Sequence, residues 1–202
     1  MKQTSIIFDL GGVLIDWNPS YLFEKVIPDE ERRKYFLEQV CTPEWNEEQD
    51  GGRSIREANE LLIAQFPEWK KEIETYYERW TEMLSGPIDG TVQLFKELKE
   101  KNQYKFYALT NWSAELFPIA LEKFHFLHWF DGRVVSGEEK MRKPFPAFYK
   151  LLLDRYNLDA KNAVFIDDNK RNIQAAVEAG IPSIQFTSPE ALREELVKRG
   201  LL

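Results

Sequence analysis

One cysteine, Cys41, is the whole thiol content of this 202-residue chain, which rules out an internal disulfide and a cysteine-built metal cluster. The lone thiol reads as a small, partly buried side chain. Long apolar runs are missing too: no stretch approaches the ~18 residues of a transmembrane helix. The N-terminus lacks a basic region followed by an extended apolar segment, and Ser5-Ile6-Ile7-Phe8 fits a strand better than an export signal. A soluble cytoplasmic protein with no membrane partner is the resulting expectation. Positive charge is in deficit, with 27 Lys and Arg against 34 Asp and Glu and a net charge of -7. That balance argues against nucleic acid as a partner, while a local basic patch remains able to serve a phosphorylated small molecule. Internal repeats and low-complexity tracts are absent.

Aromatic residues, by contrast, are plentiful: 14 Phe, 8 Tyr and 6 Trp, far from the composition of a disordered acidic chain. With 43% hydrophobic residues, a chain of this length buries roughly 70% of its unfolded surface. Short apolar runs at 5–8, 105–109, 132–135, 163–166 and 183–186 read as strands of a largely parallel sheet. Helical patterns separate most of them: Val92, Phe95 and Leu98; Phe148, Leu151, Leu152 and Tyr156 after Pro144; Ile173, Ala176 and Val177, ended by Gly180. Ser188-Pro189 supplies an N-cap and a first-turn proline for a last helix. This is α/β organisation.

From about Pro19 to Gly86 the pattern is helical only. Pro28 and Asp29 open a helix carrying Tyr35, Phe36 and Val40, and Ser54 with Glu57 has capping-box spacing. Trp69, Ile73, Tyr76, Tyr77, Trp80 and Leu84 form a further apolar stripe. The division expected is an α/β core over 1–16 and 87–202, with a small helical cap inserted over 17–86 beside the mouth of any site. Most of these aromatics need no role beyond packing. Trp17 and Trp45 are the two singled out as candidates to touch a ligand.

Two apolar runs end in acid: Asp9 after the first and Asp167-Asp168 after a much later one. An open parallel sheet binds ligands beyond the carboxyl ends of its strands, so Asp9, Thr110 and Asp167-Asp168 are able to converge. Magnesium prefers oxygen ligands and bridges carboxylates to phosphate. Asp9, Asp168 and the Gly11 carbonyl are the candidate ligands, with Asp167 as a further one. On residues alone a solvated turn explains the acidic pair equally well, and Thr110 serves a turn as readily as a ligand.

Four patterns in order carry a resemblance: Phe8-Asp9-Leu10-Gly11-Gly12-Val13, Ala108-Leu109-Thr110-Asn111, Arg142-Lys143-Pro144 and Phe165-Ile166-Asp167-Asp168-Asn169. Together with the helical insertion they span nearly the whole chain, which resembles the haloacid dehalogenase-like hydrolase superfamily. The resemblance implies a doubly wound, Rossmann-like, mostly parallel sheet with a helical cap, and magnesium-dependent phosphatase chemistry. It implies Asp9 as a nucleophile forming an aspartyl-phosphate, Thr110 and Lys143 as phosphate-binding catalytic groups, and Asp168, assisted by Asp167, on Mg2+. The Asn111 backbone amide is a second phosphate donor on the same basis. Pro144 is expected to start a helix, and Arg142 to lie outside the site.

One departure stands out. Many phosphatases of the superfamily have a second aspartate two residues after the nucleophile, which protonates the leaving group; here Gly11 stands there. Glycine keeps the turn and its carbonyl but transfers no proton, and acid–base catalysis is commonly worth ~100- to 10,000-fold. Asp16 is the nearest candidate replacement. Asn172 stands where many relatives are acidic, with a hydrogen bond to Lys143 or to metal-bound water as its expected role. The expected activity is hydrolysis of a small phosphorylated metabolite, a sugar phosphate being one candidate. A noncatalytic ligand-binding or interaction protein and a 2-haloacid dehalogenase are the alternatives.

Overall fold

The computed structural model describes residues 4–202. Among the described residues seven strands form: β1 (Thr4–Phe8), β2 (Ile15–Trp17), β3 (Leu84–Pro87), β4 (Tyr104–Thr110), β5 (Gly132–Val135), β6 (Ala163–Asp167) and β7 (Ser183–Gln185). Five of them build one sheet in the order β5-β4-β1-β6-β7, parallel at every pairing. Strand β1 is central, with β4 on one side and β6 on the other. The chain therefore changes direction of build across β1, and the carboxyl ends of β1, β4 and β6 lie side by side.

The strands read as continuous apolar runs because both faces of the sheet are covered. Alternate residues go to opposite faces. Ile6, Phe8, Phe106, Ala108, Val164 and Ile166 join one core; Ile7, Tyr107, Leu109, Ala163 and Phe165 join the other.

Helices α1 (Ser20–Val26), α2 (Glu30–Tyr35), α3 (Pro43–Asp50), α4 (Ile55–Gln65) and α5 (Lys70–Glu78) fill the chain between β2 and β3. Later come α6 (Asp89–Glu100), α7 (Phe117–Lys123), α8 (Ser136–Glu139), α9 (Pro146–Arg155), α10 (Lys170–Glu178) and α11 (Pro189–Lys198). Residues of α6, α7 and α11 pack in the first core, those of α9 and α10 in the second, so the sheet is sandwiched as in Rossmann-like α/β proteins. The expected caps of α2, α4 and α11 form: Asp29, Ser54 and Ser188 each accept a backbone N–H of the first turn.

The first core runs on into helices α1–α5. Phe23 meets Phe36 at 4.7 Å between ring centroids and Tyr76 at 5.7 Å, and Phe36 meets Trp69 at 5.1 Å. Packing thus accounts for most aromatics there, and it also buries Cys41, whose thiol pKa is pushed up as a result. Charge ties this helical segment to the loop before α9 and to α10: Arg142 contacts Glu47 at 2.9 Å and Glu48 at 3.2 Å, and Arg171 contacts Glu47 at 2.6 Å. Arg142 is a tether between the two parts of the chain.

Three expectations need correction. The stretch 19–86 was expected to hold no strand, yet β3 pairs antiparallel with β2 as a two-stranded ribbon flanking α1–α5. Strands so short, one of them Leu-Ser-Gly-Pro, carry no alternation to detect. Helix α9 opens at Pro146 rather than Pro144, with Phe145 at the N-cap, and the Lys143–Pro144 peptide is cis. Val177, a member of the expected apolar stripe, is 56% exposed; Ala175 and Ala176 are the buried pair of α10.

Candidate active site

Asp9 follows the last residue of the central strand. Its N–H donates to the Ile166 carbonyl of β6 at 2.8 Å, which continues the ladder one step past the strand. The Leu10 N–H donates to Asp9 Oδ1 at 2.8 Å and fixes the carboxylate. Lys143 Nζ lies 2.8 Å from Asp9 Oδ2 and 2.7 Å from Asp167 Oδ2, its side chain wholly buried. Asn111 holds the lysine backbone from both sides: its Oδ1 accepts from Lys143 N at 2.8 Å and its Nδ2 donates to the Lys143 carbonyl at 3.0 Å. Asp167 is fully saturated, accepting from the Asn169 N–H at 2.8 Å and from Asn172 Nδ2 at 3.0 Å on each oxygen. Asn172 Nδ2 therefore goes to Asp167 and not to Lys143, the first of its two expected partners, because the α10 turn brings its amide onto that carboxylate.

These contacts set the charges. Burial raises the Asp9 carboxyl to about 8; Lys143 opposes that shift, while Asp167 and Asp168 add to it. Burial works against the Lys143 charge, yet Asp167 and Asp9 outweigh it and its pKa is raised. Asp168 is shifted upward by partial burial of its carboxyl first and by Asp167 second. Three carboxylates thus face one ammonium, an excess of negative charge that a divalent cation neutralises.

The geometry fits magnesium and a phosphate oxygen. Asp9, Asp167 and Asp168 each offer an oxygen, all within 4.8 Å of one another. Asp167 already spends its lone pairs on Lys143, Asn169 and Asn172, which leaves Asp9 and the exposed Asp168 as the better-placed donors. The Thr110 hydroxyl is buried at the end of β4 with no hydrogen-bond partner, a state buried polar groups rarely keep. Gly12 has φ +75°, and a Cβ there would sit 2.5 Å from Asp168 Oδ2. Both the turn and the approach of Asp168 demand glycine. Gly12→Ala is expected to lower stability by about 1–3 kcal/mol and weaken magnesium binding, as read by melting curves with and without the metal.

Above these groups lies a cavity of about 360 Å³ lined by Asp9, Gly11, Gly12, Asn111 and Asp168 at one end. Trp17, Trp80, Trp112 and Leu116 form its apolar walls, and Asn46 with Asp50 completes it from α3. Lys143, Asp167 and Thr110 are buried and do not line the cavity. Trp45 is turned away, against Tyr76 at 5.3 Å and Tyr77 at 5.4 Å, because the aromatic cluster of α5 takes it. Asp16 accepts a hydrogen bond from the Tyr21 hydroxyl at 2.8 Å and does not line the cavity, so it replaces nothing at Gly11. Sequence reading missed Asn46, Asp50, Trp80, Trp112 and Leu116. Of these only Asn46 and Asp50 had a signal, an i,i+4 polar pair on one helix face.

A family model described as haloacid dehalogenase-like hydrolase matches residues 6–186. The chain belongs to that family. This haloacid dehalogenase-like hydrolase is 28% identical over 190 residues to a sesquiterpene phosphatase of Aspergillus oryzae, covering 94% of this chain and 93% of the relative. It is 28% identical over 181 residues to a phosphorylated carbohydrates phosphatase of Thermotoga maritima, covering 89% and 83%. Its fold matches that of a Bacteroides thetaiotaomicron family enzyme solved in complex with magnesium and inorganic phosphate. The TM-score is 0.67 at 23% identity, over 93% of this chain and 96% of that one. The hydrolase is accordingly an enzyme with named phosphatases among its full-length relatives. Among its described residues, no helix is long and apolar enough to cross a membrane.

Proposed function

We propose that this hydrolase cleaves a small phosphate monoester with magnesium, through an aspartyl-phosphate on Asp9. The observation that carries the reading is Asp9 itself: a carboxylate at the end of the central strand, facing the cavity, 2.8 Å from a buried ammonium. An Asp9 oxygen attacks phosphorus, so that one difficult displacement becomes two easier ones. Lys143 holds charge on the transferring phosphoryl group, and the orphaned Thr110 hydroxyl donates to one of its oxygens. The Asn111 amide is the second donor, while the Asn111 side chain keeps Lys143 in register. Asp9, the Gly11 carbonyl and Asp168 would hold Mg2+, with Asp167 serving mainly to orient Lys143. Magnesium, when bound, neutralises phosphate charge and keeps attack in line. Helices α1–α5 act as a cap that excludes water around the leaving group.

The leaving group is small, or slender enough to enter a cavity of about 360 Å³ between indole walls. Such walls suit the C–H face of a sugar and an isoprenoid chain alike, the two chemistries named in the relatives. The test is inorganic phosphate release over a panel of sugar, isoprenoid and aryl phosphates, with magnesium and with chelator. Turnover is expected with magnesium and lost with chelator. Magnesium at 100 times its Kd is also expected to stabilise the fold by about 2.7 kcal/mol, seen as a higher melting temperature. Halide release from a 2-haloacid without metal would favour dehalogenation instead. Magnesium binding without turnover of any ester would favour a noncatalytic role.

A further inference from the structure

Gly11 leaves the proposed reaction without a proton donor beside the nucleophile, and the cavity contains one unassigned carboxyl. Asp50 ends α3 and lines the same cavity as Asp9, Gly11 and Asp168, approaching from the helical segment opposite the sheet. Resting on the phosphatase reading, we propose that Asp50 is the general acid and base, supplied from the cap in place of the side chain absent at Gly11.

The carboxyl is positioned rather than free. Gln49 Nε2 donates to the Tyr77 hydroxyl at 2.9 Å, and that hydroxyl donates to Asn46 Oδ1 at 2.9 Å. With its oxygen so occupied, Asn46 turns Nδ2 toward Asp50 Oδ2 at 3.3 Å. Asn46 and Asp50 are one helical turn apart, so the face of α3 that carries them is the face toward the cavity. On the other side the Ser113 backbone N–H approaches the carboxyl from the loop that follows β4. That loop is itself fixed: Trp112 N donates to Ser136 Oγ at 2.8 Å, and a Cβ at Gly137 would lie 2.3 Å from the Ala114 nitrogen. The Arg142 bridges to Glu47 and Glu48 tie α3 to the loop that precedes α9.

The electrostatics suit a group that must carry a proton near neutrality. Burial is the largest influence, raising Asp50 to about 7; Glu47 pushes the same way, while the Ser113 amide, Arg142 and Lys143 push back. A general acid works best with its pKa near the working pH. In the first step the ester P–O bond breaks, its electron pair goes to the leaving oxygen, and that oxygen takes the Asp50 proton. Asp9 forms the new P–O bond. In the second step water gives a proton back to Asp50 while its oxygen bonds to phosphorus. The P–O bond to Asp9 breaks with its electrons on Asp9, and both carboxyl groups return to their starting states. The sum is ester and water going to alcohol and phosphate.

The test compares two esters, p-nitrophenyl phosphate and the best alkyl phosphate of the panel, on wild type and Asp50→Asn. A nitrophenolate leaves without help and an alkoxide does not. Asp50→Asn is expected to lower kcat/KM for the alkyl ester by about 100- to 10,000-fold, and for the aryl ester by less than tenfold. The wild-type alkyl rate should fall above pH ~7 as the acid deprotonates, and this limb should vanish in the variant. Asp50→Glu should recover part of the alkyl rate. Melting curves of each variant separate a folding loss, which would slow both esters equally in proportion to unfolded protein. Equal slowing of both esters in folded protein, or no slowing, overturns the role of Asp50 alone. A wild type that turns over neither ester overturns the phosphatase reading and this role with it.

Discussion

Asp9→Asn is expected to end phosphate release and, in the absence of metal, to make the protein more stable. A carboxamide oxygen carries no charge and is a poor nucleophile, so the covalent route closes; the loss should be on the order of 10^4-fold or more. The stability gain follows from the buried carboxyl. Its native pKa is raised to about 8 from 3.8, with burial as the main cause. Below pH ~4 both folded and unfolded states hold the proton, and the raised pKa has its full stabilising effect. Between 3.8 and 8 the unfolded chain ionises while the native site resists, and that stability is lost as pH rises. At pH 7 the ceiling on this loss is about 4 kcal/mol. Losing the charge opposite Lys143 takes back part of it, for a net gain on the order of 1–2 kcal/mol. Melting in chelator should therefore rise by roughly 3–5 °C at pH 7.5, with the difference closing near pH 4. Magnesium should erase the advantage, since it stabilises wild type through the same carboxylate.

Lys143→Met should lose both activity and stability. The ammonium is buried between Asp9 and Asp167, and it is the one cation bonded to either of them among the described residues. Its removal leaves buried carboxylates with no counter-charge, typically a loss of about 3–5 kcal/mol. Lysine with a raised native pKa contributes stability that is whole below its unfolded value and disappears only as pH rises through the native one. The deficit of Lys143→Met should therefore be present across pH 6–9; it should shrink near pH 4 for a separate reason, since the carboxylates left without a counter-charge are then protonated in the folded and unfolded states alike. Lys143→Arg should not restore turnover, because a planar guanidinium does not fit a point-charge socket bounded by the Asn111 clamp. Denaturation at pH 7.5 and 4.5, beside phosphate release, measures both effects.

The sheet was legible because its strands are doubly covered. Ile6, Ile7 and Phe8 are apolar in succession, and only a strand buried on both faces needs that. Asp9 and Asp167 mark the ends of adjacent parallel strands, so their meeting follows from topology once the strands are placed. Lys143 was legible through its place before Pro144 in the family-like pattern, not through any periodicity. The α3 face of the cavity was not legible. Which side of α3 turns inward depends on Arg142 and Arg171 gripping Glu47, contacts 95 and 124 residues apart in sequence. Trp45 drew attention as an aromatic beside that face, yet the α5 tyrosines absorb it and leave the polar Asn46 and Asp50 facing the site. Trp80 and Trp112 stack edge to face at 5.6 Å across the junction of the helical segment and the sheet, a pairing no local pattern announces.

The most direct test of the account is to quench the enzyme with acid during turnover of a radiolabelled phosphate ester and map the label. The account predicts label on the peptide containing Asp9, released by hydroxylamine as an acyl phosphate is, formed only with magnesium and absent from Asp9→Asn. Steady phosphate release with no labelled Asp9 peptide under any quench, or label that persists in Asp9→Asn, would contradict it.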